Sequence, residues 1–147
     1  MNRPEMPAFT AWDSRLANED LLHRTAEMLG GDWVPEEGVS WGDGACELPD
    51  GGVGRVYELR GIETGPVDDP DAARERVREL WTGWGLSPND RALDTVRILT
   101  ATNPKDRASL VFMAGPGGTG LIGDSGCAVT HGRPADEPFS PTAAPTP

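Results

Sequence analysis

Residues 108–130 read ASLVFMAGPGGTGLIGDSGCAVT, and the role of their glycines decides which fold and which chemistry the chain can have. The run ASLVFMAG (108–115) is continuously apolar and of strand length, which suits the centre of a sheet. Pro116 and the glycines beside it supply the dihedrals of a tight turn, positive φ included. TGLIGDSGCAVT (119–130) then reads as the returning strand, so the segment is an antiparallel hairpin.

Three catalytic patterns overlie this hairpin. Gly115 to Gly120 has the spacing of a phosphate-binding loop, but Leu121 and Ile122 stand where a lysine and a hydroxyl residue must reach phosphate and magnesium. Gly115, Gly117 and Gly120 match G-x-G-x-x-G after a strand; that fingerprint has to open a helix, and here two more glycines follow. Gly123–Gly126 is the GDSG that surrounds the serine of trypsin-like proteases. That serine needs a histidine base and an aspartate to orient it. Upstream there is only His23, within a predicted helix, and Cys127 replaces the next glycine of that pattern. The glycines are therefore read as scaffold, with Gly123 and Gly126 marking a bulge or a close approach of backbone. A nonstandard hydrolase using Ser125 is the weakest alternative.

Working outward, ALDTVRILTATN (92–103) reads as one strand, preceded by a turn at SPND (87–90) and followed by one at NPKDR (103–107). VGRVYELRG (53–61) is a further strand, with Val53, Tyr57 and Leu59 on one parity. DDPDAARERVRELWTGWG (68–85) is a helix capped by Asp69 ahead of Pro70, with Ala73, Val77, Leu80, Trp81 and Trp84 as its apolar stripe. The acidic residues before it lack the alternating ligands of a calcium loop, so no metal site is expected. NEDLLHRTAEMLGG (18–31) is a second helix, capped by Asn18 and burying Leu22, Ala26 and Leu29. Between them, residues 32–52 read mainly as loop, with a short strand near 39–41. Its tryptophans, Trp33 and Trp41, either fold back as a lid on the core or wall a binding cleft.

The element order implies a two-layer α+β sandwich: an antiparallel sheet of about four strands with two helices on one face. Residues 1–12 are expected to form a flexible arm, 13–131 a single domain, and 132–147, with five prolines, a disordered tail.

The formal charge of −11 disfavours nucleic acid and anionic membranes as partners, and no apolar run reaches the length of a membrane span. It suits a basic protein or a positively charged small ligand. No cofactor is expected. Twelve arginines against the single Lys105, with abundant Ala, Gly and Pro, point to a GC-rich genome.

Cys46 and Cys127 are the only cysteines, and no zinc or redox spacing surrounds them. Their Gly-rich settings favour a disulfide over two buried thiols. A bridge requires an oxidising compartment, whereas MNRPEMPAFTAWD at the amino end has no apolar leader. Extracytoplasmic placement with a start codon upstream, or a cytoplasmic protein with reduced thiols, both remain open.

LGGDW after the first helix, WGDGACE, ELWTGWG and LIGDSGC resemble segments of small proteins of high-GC actinobacteria, many of them secreted or lipoprotein-like. The resemblance implies an extracytoplasmic location and no activity. Two functional expectations follow. One is a non-enzymatic extracytoplasmic domain that binds a protein or small ligand through its open sheet face or the Trp33/Trp41 loop. The other is an acidic cytosolic inhibitor or immunity-type protein for a basic partner.

Overall fold

The computed structural model describes residues 7–34 and 41–129, the side chain of Arg60 excepted. The expected arm before residue 7 and the expected tail after 131 lie outside the described residues. Two helices and six strands follow in the order α1 (Ala11–Leu29), β1 (Trp41–Glu47), β2 (Val53–Thr64), α2 (Pro70–Gly83), β3 (Asn89–Leu93), β4 (Val96–Thr102), β5 (Ser109–Gly115) and β6 (Gly118–Asp124).

The strands make one antiparallel sheet in the order β1-β2-β6-β5-β4-β3. The β1-β2 hairpin forms one edge. Helix α2 carries the chain over to the other edge, and the β3-β4-β5-β6 meander walks back until β6 meets β2. Helix α1 packs over β2 and β6, α2 over β4 and β5, and the two touch each other on that face. The α+β class is as the sequence implies; the sheet is wider than the four strands expected.

Two local features account for the extra strands. β1, WGDGACE, has no apolar alternation because Asp43 and Glu47 share the parity of buried Trp41 and glycines stand at 42 and 44, yet it pairs along its full length from Trp41–Leu59 to Glu47–Val53. The turn that joins it to β2 places Gly51 at φ 87. The single strand expected over 92–103 is two strands, folded at Asp94 and Thr95, and the expected SPND turn contributes the first residues of β3. Asp94 adopts φ 54, a conformation aspartate tolerates better than most residues. Arg97 holds the bend, donating to the Asp94 carbonyl at 3.1 Å and to Asp71 on α2 at 2.7 Å.

Helix α1 also starts earlier than expected. Thr10 caps it by accepting from the Asp13 amide, so Ala11 and Trp12, assigned to the arm, are its buried first turn. Asn18 is no cap. Its side chain is buried mid-helix and donates to the carbonyls of Ser109 (3.0 Å) and Asp124 (3.2 Å), where β5 and β6 diverge. Helix α2 begins as read, with Asp69 accepting from the Ala72 amide.

The core between sheet and helices gathers Leu22, Tyr57, Leu59, Ile62, Val77, Trp81, Leu99, Leu110, Phe112 and Leu121. Leu59 and Ile62 lie three apart on one strand and still share this face. A bulge between them lets β2 spend three steps where β6 spends two, from Gly123 to Leu121. A buried polar seam joins the helices: Trp81 donates to Thr25 at 3.0 Å, and Thr25 to the Leu21 carbonyl at 2.8 Å.

Candidate functional site

The glycine-rich segment is built as scaffold. Pro116 and Gly117 turn the chain between the paired Gly115 and Gly118, the latter at φ 139. No helix grows from Leu121, which is a buried residue of β6. A Cβ on Gly123 would overlap the Ser109 carbonyl and lie 2.8 Å from the Asn18 amide nitrogen; one on Gly126 would overlap the Asp106 carbonyl. Both glycines are therefore points where another chain segment presses against bare backbone.

Ser125 is buried, and its hydroxyl is fully engaged. It accepts from the Tyr57 amide at 2.8 Å and donates to the Gly126 carbonyl at 3.1 Å. The Ser125 amide in turn donates to the Tyr57 carbonyl, so the serine continues the β2 ladder past the end of β6. Ser14 works beside it, accepting from the Gly126 amide and donating to buried Asp106, both at 2.8 Å. His23, the only histidine among the described residues, stands on α1 beside Glu19 (3.8 Å).

The two tryptophans of the first loop have separate places. Trp41 is 4% exposed and belongs to an edge-to-face trio with Trp12 and Tyr57, the centroids 5.2 to 5.5 Å apart. The buried guanidinium of Arg15 lies over both indoles, 4.8 Å from Trp12 and 5.1 Å from Trp41, and pairs with Glu19 at 2.8 Å. The face of Trp41 that would meet a cationic ligand is thus occupied by the protein's own cation. Burial holds the Arg15 guanidinium below its ordinary pKa, against the pull of Glu19 and Tyr57. Trp33 is half-buried, packs on the core margin and donates to the Gly30 carbonyl at the end of α1.

Cys46 and Cys127 are joined, with an S–S distance of 1.99 Å. The bridge fastens β1 to the chain just beyond β6, where Ala128 exchanges backbone hydrogen bonds with Arg55 of β2. No free cysteine is found among the described residues, nor any group of three potential metal ligands, nor a helix long and apolar enough to cross a membrane.

What the described residues leave uncovered is the second face of the sheet. Strand parity and register place Leu93, Val96, Ile98, Val111, Met113 and Ile122 on it, Ile98 beside Met113 and Val111 beside Ile122. Leu93 is 64% exposed and Ile122 37%. Gly120 and Gly61 leave the surface low around Ile122, and a Cβ on Gly61 would lie 2.7 Å from its methyl group. At the β2–β6 end the band meets acid. Glu58 and Asp124 are direct cross-strand partners, and they line a hollow of about 260 Å³ with Val111, Ile122 and Ser109. Glu63 borders a similar hollow with Val96 and Met113. Partial burial, and then the charge of Glu58, push the Asp124 carboxyl above its ordinary pKa. A like-charged pair set face to face is unfavourable in the isolated protein and is relieved by a cation.

The open face and its acidic margin were legible only as a consequence of the topology. No motif marks them, because each strand contributes one or two residues. Comparison with protein-family models, with curated proteins and with solved structures finds no match to this chain.

Proposed function

We propose that this protein is a non-enzymatic binding domain that acts outside the cytoplasm and holds a basic protein partner against the open face of its sheet. The observation that carries this reading is the apolar band from Leu93 to Ile122, exposed at those two residues, half-buried at Val96, Ile98, Val111 and Met113 between them, and ending at Glu58 and Asp124. An antiparallel sheet with one solvated face ordinarily alternates apolar and polar residues. Here the outward positions of β4, β5 and β6 carry Ile98, Val111, Met113 and Ile122 among Thr100, Thr102, Ser109 and Gly120, an apolar centre with a polar margin as in an interface core. The charge of −11 and the paired carboxylates select a partner with lysine or arginine beside its apolar contact. The Cys46–Cys127 bridge supports an oxidising location.

A photo-reactive residue at Ile122, with a control at exposed Glu79 on the outer side of α2, tests this in cells that make the protein. One defined adduct from position 122 and none from 79 supports the reading; equal labelling from both, or none from 122, refutes it. The alternative of an acidic cytosolic inhibitor also has a basic partner, but it requires both thiols to be reduced in the cell. Alkylation before lysis separates the two.

A further inference from the structure

We propose a second binding site, for a small organic carboxylate with an apolar body, in the cleft beside the disulfide. The cleft has a volume of about 670 Å³, more than twice that of either hollow on the sheet face. Small-molecule sites run from about 300 to 1,000 Å³ and combine apolar walls with a few convergent polar groups. Phe9, Pro7, Pro49 and Pro104 supply apolar lining here, together with Cys127 of the disulfide.

The β4–β5 turn supplies the polar groups. It carries Lys105 and Arg107, both exposed on the rim. Neither meets a carboxylate among the described residues, a condition they share with Arg76, which donates to the Met28 carbonyl, and with Arg91, whereas Arg15, Arg24, Arg55, Arg74, Arg78 and Arg97 are ion-paired. Lys105 and Arg107 are the two of these that stand within two residues of each other and line one cleft, in a chain whose net charge is −11. Asp106 between them makes no ion pair with either: its oxygens are turned inward to the Ser14 hydroxyl (2.8 Å) and the Ala108 amide (2.9 Å). Glu47, the remaining acid of the lining, sits on the β1 side of the cleft. The turn is held in this form at a conformational cost. Arg107 has φ 64, with its amide donating to the Asn103 carbonyl at 2.7 Å. A non-glycine residue in that region is strained, and such positions concentrate at binding sites.

The probe is octanoate, compared with octanol, which has the same chain and no charge, and with acetate, which has the charge and no chain. Binding is followed by amide chemical shifts of the full-length, oxidised protein. Octanoate should saturate the shifts of Phe9, Asp106, Arg107 and Cys127 with a Kd on the order of 0.1–1 mM, the range open to a ligand of this size. Octanol and acetate should each bind at least roughly tenfold more weakly. Arg107→Gly with Lys105→Gln should weaken octanoate by at least roughly tenfold while melting at the same or a higher temperature, because glycine is unstrained at that φ. Equal binding of octanoate and octanol, shifts centred away from the cleft, or unchanged affinity of the double variant would each overturn the proposal. Ile122→Lys, which addresses the sheet face, should bind octanoate as the parent protein does.

Discussion

Opening the Cys46–Cys127 bridge should lower stability by an amount set by the loop it closes. The cysteines are 81 residues apart in sequence, and the chain-entropy relation for a loop of that size gives about 4.5 kcal/mol at room temperature. Domains of this size have roughly 5–15 kcal/mol in total, so a large share of the fold's margin rests on one bond. For a little over a hundred ordered residues this corresponds to a fall in Tm on the order of 15 °C. The packing around the bridge should survive, because β1 remains paired to β2 along seven residue pairs and Ala128 keeps its hydrogen bonds to Arg55. Differential scanning calorimetry of oxidised protein, of protein with a phosphine reductant, and of Cys46→Ala with Cys127→Ala provides the assay. Both reduced forms should show one cooperative transition at the lowered temperature. A Tm insensitive to reductant, in protein shown by mass to have been oxidised, would refute the reasoning that the bridge closes a long loop in a two-state fold.

Three further substitutions test the local accounts. Ser125→Ala leaves the Tyr57 amide without its acceptor and should cost roughly 1–3 kcal/mol in urea unfolding; a neutral result would show that the hydroxyl is not a strand-continuing acceptor. Arg15→Lys replaces a planar cation stacked on Trp12 and Trp41 with a compact one and should cost about 1–2 kcal/mol by the same measurement, whereas a gain would contradict the stacked geometry. Burial and Glu58 raise the folded-state pKa of Asp124 above its unfolded value, so its penalty is fully present above the folded pKa and fades as pH falls through it. Asp124→Asn should therefore stabilise the protein by roughly 0.2–1 kcal/mol at neutral pH, with the gain vanishing in acid; a gain that grows on acidification reverses the assigned sign.

Apolar periodicity carried the sequence reading where the buried residues are apolar. It located α2 from Ala73, Val77 and Trp81, while the β5–β6 hairpin was read from the continuous apolar run 108–115 and the Pro-Gly turn after it. It missed the first turns of α1 because half of the buried face there is polar: Ser14, Arg15 and Asn18 are inside for their bonds to backbone, to Asp106 and to the Trp12 and Trp41 rings. β1 was hidden by its glycines, and the β3–β4 bend by a two-residue turn without glycine, asparagine or proline. Asp94 at that bend was the one available signal. The crowding at Gly123 and Gly126 was anticipated from sequence, but not the neighbours that cause it: Asn18 of α1 and the first residue of β5 at Gly123, and Phe9 and the β4–β5 turn at Gly126. The open face emerges only once register aligns Ile98, Met113, Val111 and Ile122 across three strands.

The open sheet face is the proposed working surface of the protein. Its most direct test is the partner's Kd for Ile122→Lys compared with the parent protein, measured with the partner identified by cross-linking from position 122. Ile122 is 37% exposed, so a lysine there leaves the fold and its Tm unchanged while placing a charge among apolar contacts and beside the partner's own basic groups. The predicted result is at least a roughly tenfold loss of affinity. Undiminished affinity, with Tm preserved, would contradict it.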